Sequence, residues 1–535
     1  MISTFEQTAA TFLRKNIRFY DGVVAHALRI EPYGDDEATM RWIGLAAEIA
    51  WAAHPGRLSD GRLEAMAMRI GQRLAMPAEN AQGSEASRRG KGSRHVLHVA
   101  TAVLGTGGHT RLLENWIKTD DASRHSLLLL DQEYEPIRVT LTDRIADSGG
   151  ELIIIPHGTL LLERARQLRV AARSGYDVVV LHHHPNDVTP LVAFATEGGP
   201  PVAIMNHADH IFWLGVSIAD LVIEYRNFGA KLSEERRGTR ASVMFPLPLD
   251  IQSSSPTRAE ARAHLNIPEA EQMLLSIGPA TKYMPTKRQR FFDTASKVLE
   301  RHCDTRLYVI GVGESDRKVL NIPSHPRMAL LGIVKDPTYY EAAADLYLEG
   351  FPFGSYTALL ETAARGVCPV VMHSPTAHNE AACEVALLGL VESAKDEDDY
   401  LAEIATLLVD REMRTRRGQD IARRIESHHG TVVSRRYLDN VYFALAGLRH
   451  SVAVLPACQA QVGRHDLDLA GFQSSRMKIP VAEWVSTATV RKLSFAEWFW
   501  LFRISVAAGD TQVNLRHAKA WLSMLKRKIL HNYDT

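Results

Sequence analysis

The sequence predicts an α/β protein with two doubly wound, Rossmann-like domains in tandem, and three observations lead to this prediction. The chain has 535 residues, whereas a single hydrophobic core stops growing at about 250–300 residues. Short apolar runs alternate with amphipathic stretches in two separate series, which is typical of parallel sheets covered by helices. Between the two series, residues 245–256 contain three prolines and three consecutive serines, and this composition indicates a hinge.

The predicted strands divide the central part of the chain into two domains. The first series comprises His95–Val103, Ser126–Leu130, Glu151–Ile155, Asp177–Leu181 and Pro201–Met205. The second series comprises Met273–Ile277, Arg306–Ile310, Met328–Leu331, Asp345–Leu348 and Cys368–Met372. We therefore assign residues 95–250 to an N-terminal Rossmann-like domain. Residues 251–450 are assigned to a C-terminal Rossmann-like domain with a closing helix.

The flanking segments differ in composition from both series. Residues 1–77 have apolar positions at helical spacing, which predicts a small helical accessory domain. Residues 78–94 are small, polar and basic, and they read as a linker. Residues 451–535 form a tail in which an aromatic helix around Trp498 precedes a basic helix. Such a tail allows peripheral contact with an acidic membrane surface or a protein, and packing on the sheet domains is the alternative.

Composition excludes several classes of protein. Lysine plus arginine and aspartate plus glutamate number 62 each, so no overall positive field exists to attract nucleic acid. The four cysteines lie far apart without a CxxC pair, which fits neither a disulfide framework nor a zinc site. The most apolar early stretch, residues 43–53, is short and contains Glu48, so we expect neither a secretion signal nor a membrane span. The expected location is the cytoplasm.

The most informative stretch, residues 345–372, predicts a strand, a turn, a helix and the next strand. Ligands of open α/β sheets bind at the carboxyl ends of strands, where this turn lies. The start of the helix favours a diphosphate through its unpaired amides and its dipole. Glu361, one turn into the helix, is placed to accept hydrogen bonds from two ribose hydroxyls; the alternative is an acidic residue that only complements the dipole. The turn and helix start that we expect to contact the ligand are Gly354, Ser355, Tyr356 and Thr357.

This stretch resembles the donor-binding motif of GT-B glycosyltransferases, in which a glutamate on the helix precedes a G-x-P-V-V strand. Glu361 and Gly366-Val-Cys-Pro369-Val-Val match that motif, and Phe351-Pro-Phe-Gly354 is similar to bacterial cytoplasmic N-glycosyltransferases and O-GlcNAc transferases. The resemblance implies a GT-B fold with a central cleft. It implies transfer of a hexosyl or N-acetylhexosaminyl group from a nucleotide diphosphate sugar, expected to be UDP-linked, to a protein or glycan acceptor. No metal or other cofactor is implied.

One feature departs from the family pattern. Eleven residues separate Glu349 from Glu361, more than usually separate the two glutamates of retaining GT-B enzymes. The sequence therefore leaves open whether the anomeric configuration is retained or inverted.

Three further segments resemble parts of the GT-B donor site. Lys282 and Lys287 lie after a predicted strand, where cations would offset charge on the leaving diphosphate; a solvated basic turn is the alternative. Val334 lies in the segment whose backbone meets the nucleotide base in that family. Gly107 and Gly108 follow the first strand and let a ligand approach the backbone. This glycine turn also admits a dinucleotide site, but the third glycine of that fingerprint is missing.

Two histidine groups follow predicted strands of the first series, at residues 182–184 and 206–210. A loop histidine can take a proton from an acceptor because its pKa lies near neutrality. His210 is our first candidate base, followed by His109 and His207; hydrogen bonds that cap loops are the structural alternative. Three consecutive histidines point in different directions from an extended chain, so we expect no metal site there.

Two other functions fit the same architecture. A nucleotide-sugar epimerase would need acidic residues beside the sugar and would release a product without an acceptor. A non-catalytic GT-B subunit would bind a glycosylation partner or an acceptor protein through the helical N-terminus and the tail.

Overall fold

The structure is a computed structural model that describes residues 4–74, 93–104, 108–133, 136–250, 256–286, 288–374, 384–457, 460–476 and 495–508. It divides the chain into two compact units. The first unit contains Met1–Gly105, Asp121–Met244 and Val441–Thr535, and the second contains Thr106–Asp120 and Phe245–Asn440. The predicted site residues Lys287 and Gly107, residues 78–92 of the predicted linker and the basic end of the tail lie outside the described residues.

The first unit is built on a seven-stranded parallel sheet with the strand order β3-β2-β1-β4-β5-β6-β7. Its strands are β1 His95–Ala100, β2 Arg124–Leu129, β3 Leu152–Ile154, β4 Val178–His182, β5 Val202–Met205, β6 Leu221–Glu224 and β7 Ser242–Met244. Every residue of β4, β5 and β6 is buried, as expected for parallel strands covered on both faces.

The first unit also contains helices, and most of them share one hydrophobic core with its sheet. They are α1 Thr4–Ile30, α2 Asp36–Ala52, α3 Gly61–Arg73, α5 Val139–Asp147, α6 Leu161–Ala172, α7 Thr189–Ala193, α8 Asn227–Leu232, α17 Arg464–Arg476 and α18 Phe495–Ala507. Tyr20 and Trp42 from the N-terminal helices belong to the same buried cluster as Leu97 and Leu128 from the strands. The N-terminal helices are therefore part of the first unit.

The described part of the C-terminal tail packs on α1 and α2. Trp500 of α18 lies 5.1 Å from His26, measured between ring centroids, and Arg29 stacks 5.0 Å above its ring. Glu497 forms an ion pair with Arg41 at 2.9 Å. Trp500 thus has a packing role within the first unit.

The second unit contains a six-stranded parallel sheet with the strand order β10-β9-β8-β11-β12-β13. Its strands are β8 Gln272–Ile277, β9 Thr305–Ile310, β10 Met328–Gly332, β11 Leu346–Leu348, β12 Cys368–Met372 and β13 Ser393–Ala394. Its helices are α4 Gly108–Thr119, α9 Arg258–Leu265, α10 Phe291–Arg301, α11 Arg317–Leu320, α12 Thr338–Ala343, α13 Tyr356–Ala363, α14 Glu397–Val409, α15 Arg411–His429 and the start of α16 Thr431–Leu445. The two parallel sheets confirm the predicted α/β architecture of two doubly wound domains.

Side-chain caps explain where several of these helices begin. Thr257 and Glu260 form a capping box at α9, and the Asp35 carboxylate accepts a hydrogen bond from the amide of Ala38 at 2.8 Å. Asp410 follows the last residue of α14 and caps α15. Such caps satisfy amides that have no partner within the helix.

In both sheets the strand order reverses direction next to the first strand of the unit. This switch point lies between β1 and β4 in the first sheet and between β8 and β11 in the second. Loops at the carboxyl ends of the two adjacent strands diverge there and leave room for a ligand. Among the described residues, no helix combines the length and the apolar character that crossing a bilayer requires.

Candidate functional site

The loops at the switch point of the second sheet pack closely because glycines line them. A Cβ atom on Gly311, whose φ is +90°, would lie 2.5 Å from the carbonyl oxygen of Gly278. A Cβ atom on Gly278 would lie 2.4 Å from Oγ of Ser355. Only glycine fits at these positions without movement of the neighbours. The loops after β8 and β9 are therefore held against the start of α13.

Glu349 lies directly after β11 and contacts the turn that leads into α13. Its Oε1 accepts a short hydrogen bond from the amide of Ser355, and its side chain is buried. Burial raises the pKa of Glu349 from 4.5 to about 7, although the charge of Lys282 and the Ser355 amide oppose this rise. Oγ of Ser355 is also buried and has no hydrogen-bond partner within the described ranges. The turn thus offers a hydroxyl group that a ligand can engage.

The pKa of Glu349 predicts a pH dependence of stability. The pKa of Glu349 is higher in the folded than in the unfolded protein, so protonation of its carboxyl group favours the folded state. This contribution to stability is complete below about pH 4 and is lost as the pH rises through 7. Glu349→Gln cannot ionise, so between about pH 5 and pH 8 the variant should gain roughly 2 kcal/mol in free energy of unfolding relative to the wild type. Urea unfolding at several pH values measures this difference. The same pH dependence in both proteins would contradict the assignment.

Lys282, which the sequence predicts to contact the donor phosphates, lies beside the same turn. Its Nζ donates a hydrogen bond to the carbonyl oxygen of Gly354 at 2.7 Å and lies 5.2 Å from the centroid of the Phe353 ring. A Cβ atom on Gly354 would approach Oε1 of Glu349 to 2.5 Å, so this turn also requires glycine. An ammonium group, a hydroxyl group and a helix start therefore meet at the carboxyl edge of the second sheet.

Glu361 of α13 is held by Arg111 of α4 in an ion pair between Oε2 and Nη1. Glu341 lies close to this pair and is itself bonded to Nε of Arg365 at 3.0 Å. Burial and the charge of Glu361 raise the pKa of Glu341 to about 7, against the opposing effect of the two guanidinium groups. Glu361 is thus oriented by a specific partner.

Gly108, at the start of α4, lies against the same helix. Gly108 is the first residue of α4, and a Cβ atom there would lie 3.2 Å from Oγ1 of Thr357. His109 follows it and is exposed. Val334 lies in the loop after β10 and is half-buried. Gly108, Thr357 and Val334 therefore all lie in the second unit at strand ends or helix starts.

The side chain of Tyr356 has a structural partner. Its hydroxyl donates a short hydrogen bond to Oε2 of Glu384, whose Oε1 contacts Nε2 of His429 at 3.2 Å. Nδ1 of His429 lies 2.9 Å from the carbonyl oxygen of Leu247. This chain of contacts ties the start of α13 to the end of α15.

The histidines proposed as bases have different partners in the structure. His210 contacts the carboxylate of Asp209 at 3.0 Å, and Arg226 donates two hydrogen bonds of 2.8 Å to the same carboxylate. Burial alone would raise the pKa of Asp209, but Arg226 and His210 hold it well below its usual range. A carboxylate in this position fixes the orientation of the imidazole. His207 contacts His182 instead, at 3.1 Å, and His109 belongs to the second unit.

The three consecutive histidines also have separate partners. His182 contacts both His98 and His207, and Nε2 of His183 donates to the carbonyl oxygen of Leu214 at 2.9 Å. His184 contacts Oδ1 of Asn186 at 2.5 Å. Within the described part of the chain, no group of three or more histidine, cysteine, aspartate or glutamate side chains is arranged to hold a metal ion.

Sequence reasoning missed Arg111 and Glu341 as parts of this site. Arg111 lies in α4, three residues after Gly108 and near the position of the missing third glycine. Its partner Glu361 is 250 residues away. Only the packing of α4 in the second unit brings them together.

Comparisons with known proteins identify a shared fold. No family model matches the chain, and no curated protein matches it significantly. A glycosyltransferase from Rickettsia africae ESF-5 aligns with a TM-score of 0.52 at 10% identity, over 66% of this chain and 99% of that one. Sucrose-phosphate synthase from Thermosynechococcus elongatus aligns with a TM-score of 0.48 at 14% identity, over 66% and 99% of the two chains. O-GlcNAc transferase from Thermobaculum terrenum aligns with a TM-score of 0.46 at 17% identity, over 81% and 82%.

Proposed function

We propose that this chain, which has the fold of GT-B glycosyltransferases, transfers a sugar from a nucleotide diphosphate sugar to a protein or glycan acceptor. The expected donor is UDP-linked, the expected group is hexosyl or N-acetylhexosaminyl, and the expected compartment is the cytoplasm. The observation that carries the proposal is the meeting of Lys282, the Gly354–Ser355 turn and the start of α13 at the switch point of one sheet.

The diphosphate would bind at the start of α13. The positive end of the helix dipole and the Ser355 hydroxyl favour an anion there. An ammonium group has three donors, so Lys282 can keep its hydrogen bond to Gly354 and still contact a phosphate oxygen. These groups would offset the charge that develops on the departing diphosphate, and the proposed reaction therefore proceeds without a metal.

The ribose would bind to Glu361. Arg111 engages Oε2 of this carboxylate, and Oε1 remains available to accept from a ribose hydroxyl. Because one carboxylate oxygen can accept more than one hydrogen bond, both hydroxyls of the ribose can be held while the ion pair persists. Arg111 then acts as a positioning residue.

A histidine of the first unit would remove the proton from the acceptor if the reaction inverts the anomeric carbon. His210 is oriented by Asp209, and His207 belongs to a chain of histidines. Burial lowers the pKa of His210 in spite of Asp209, which keeps the imidazole neutral and able to accept a proton.

Thermal stability in the presence of UDP, GDP, TDP or CDP tests the proposal. We expect one diphosphate, UDP, to stabilise the protein by about 2.7 kcal/mol at 100 times its dissociation constant, with or without a chelator. The Lys282→Ala variant should need about ten times more UDP for the same stabilisation, because the substitution removes one charge-assisted contact. Lys297→Ala is the matched control, because Lys297 is an exposed lysine of α10 that pairs with Glu397.

Two results would contradict the proposal. One is the absence of stabilisation by all four diphosphates. The other is an equal loss of affinity in the Lys282→Ala and Lys297→Ala variants, which would indicate a general effect of positive charge.

A further inference from the structure

The carboxyl group of Glu349 occupies one of the hydrogen-bond donors at the start of α13. Its Oε1 accepts a short hydrogen bond from the amide of Ser355, the residue that immediately precedes α13. A Cβ atom on the neighbouring Gly354 would lie 2.5 Å from the same oxygen, so the carboxyl group lies directly against this turn. Amides at a helix start attract anions. One of the amides that could hold a phosphate is therefore already bonded to a carboxyl group of the protein.

The rest of this carboxyl group is enclosed by the protein. Glu349 is 2% exposed, and its Oε2 is buried without a hydrogen-bond partner among the described residues. Burial of a carboxylate with an unsatisfied oxygen is far more costly than burial of the neutral acid. The surroundings of Glu349 therefore favour its protonated form, although the Ser355 amide favours the charged form.

Titratable groups from three parts of the second unit interact electrostatically with Glu349. They are Lys282 and Tyr283 in the loop after β8, Tyr347 in β11 and Tyr400 in α14. Burial raises the pKa of each tyrosine above its usual range, so these hydroxyl groups stay neutral near pH 7. Among the groups named, only Lys282 can offset a negative charge on Glu349.

Glu349 therefore titrates near neutral pH. Burial raises its pKa from 4.5 to about 7, and the charge of Lys282 and the Ser355 amide oppose this rise. Near pH 7 roughly half of the molecules then carry a neutral carboxyl group at this position. Gly354, which lies against Oε1, is half-buried, so brief opening of this turn is sufficient for exchange of a proton with water.

Lys282 would serve two anions once a donor is bound. Its Nζ donates a hydrogen bond to the carbonyl oxygen of Gly354 at 2.7 Å, and the proposed site places a phosphate on the same ammonium group. The diphosphate of a nucleotide sugar carries two negative charges, whereas one ammonium group carries a single positive charge. An ionised Glu349 would add a third negative charge beside a poorly hydrated turn, where charges interact strongly. Binding of the diphosphate and ionisation of Glu349 therefore oppose each other.

We propose that Glu349 couples binding of the nucleotide diphosphate sugar to protonation, so that the second unit binds its donor with this carboxyl group neutral. The inference rests on the proposed function and concerns the regulation of its donor site. In molecules with an ionised Glu349, one proton moves from water to the carboxylate on binding, and it returns to water after the nucleotide diphosphate has left. By linkage, protonation strengthens donor binding by the same factor by which donor binding favours protonation. Glu349 is thus a positioning residue that holds the Ser355 turn and loses its charge when the phosphates bind.

The affinity for UDP between about pH 7.5 and pH 9 tests the proposal, because both phosphates of UDP stay ionised in this range. Isothermal titration calorimetry of the full-length protein should show a rise in Kd of about 20-fold across the range, since the fraction of neutral Glu349 falls by this factor. Comparison of buffers with different enthalpies of ionisation should show uptake of close to one proton per UDP bound at about pH 8. Glu349→Gln stays neutral and keeps an oxygen for the Ser355 amide, so its Kd for UDP should not depend on pH.

Glu341 supplies the comparison, because burial and the charge of Glu361 raise its pKa to about 7 as well. We expect Glu341→Gln to keep the pH dependence and the proton uptake of the wild type. The inference would be overturned by a Kd that changes with pH equally in the wild type and in Glu349→Gln. Proton uptake that disappears in Glu341→Gln and persists in Glu349→Gln would also overturn it.

The same titrations separate this inference from the proposed function. Binding of UDP at about pH 6.5 that does not weaken at higher pH overturns the proton coupling alone. No binding of UDP, GDP, TDP or CDP at about pH 6.5, where most molecules carry a neutral Glu349, overturns the proposed function and the coupling with it. If Glu349→Gln does not fold, the wild type alone decides, because binding of UDP without proton uptake contradicts the coupling.

Discussion

Replacing Glu361 with alanine should lower the affinity for UDP about 100-fold or more. The carboxylate is expected to accept hydrogen bonds from two ribose hydroxyls, and a hydrogen bond to a charged group contributes about 1.5–3 kcal/mol. The substitution also leaves Arg111 without the partner that it has in the structure. Isothermal titration calorimetry with UDP measures the loss, and Glu361→Gln, which keeps an acceptor but no charge, should give an intermediate value.

The matched control for this prediction is Glu300→Ala, because Glu300 is an exposed glutamate near the end of α10 in the same unit. Its affinity for UDP should equal that of the wild type. If Glu361→Ala binds UDP as tightly as Glu300→Ala does, the ribose does not bind at α13, and the assignment of the donor site is wrong.

Replacing Asp345 with alanine should destabilise the second unit by about 3–5 kcal/mol, since it leaves buried guanidinium groups without their counter-charge. The carboxylate of Asp345 accepts hydrogen bonds from Arg262 at 2.6 Å, from the Met273 amide at 2.8 Å and from Arg258 at 3.0 Å. Arg414 lies 3.4 Å away. Arg262 is 1% exposed. Chemical denaturation measures the effect.

Asp420→Ala provides the control for the stability measurement. Asp420 pairs with Arg423 on the surface of α15, where both side chains are largely exposed, and exposed pairs contribute little. We expect this variant to lose less than about 1 kcal/mol. Because Asp345 precedes β11 and lies at the amino-terminal edge of the sheet, a folded fraction of Asp345→Ala should still bind UDP. A loss as small as that of Asp420→Ala would show that the buried network does not support the fold.

The parts of the fold that depend on local pattern could be predicted from the sequence. Each strand of the two predicted series is short, apolar and followed by a turn, and strands from β1 to β5 and from β8 to β12 lie where these runs predict them. The two-residue strand β13 was not predicted, and neither were β6 and β7. Strand β6 follows β5 after a long buried loop and a short turn. Strand β7 has three residues without a continuous apolar run. Neither strand therefore gives a clear periodic signal.

The sequence predicts which loops of the candidate site lie close together, but it does not predict the pairing of Arg111 with Glu361. Lys282 lies in the loop after β8, and the Gly354–Ser355 turn lies in the loop after β11. Because the carboxyl ends of parallel strands lie at one edge of the sheet, their proximity follows from the order of elements. The pairing of Arg111 with Glu361 depends on the packing of α4, which no local pattern reports. The contact between His98 and His182 depends likewise on the strand order, because the two residues are 84 positions apart and meet only since β1 pairs with β4.

A crystal structure of the protein grown with UDP and a chelator tests the central claim most directly. We expect phosphate oxygens within about 2.7–3.2 Å of Nζ of Lys282 and of Oγ of Ser355, and ribose hydroxyls on the carboxylate of Glu361. UDP bound away from the start of α13, or bound there only through a metal ion, would contradict the account.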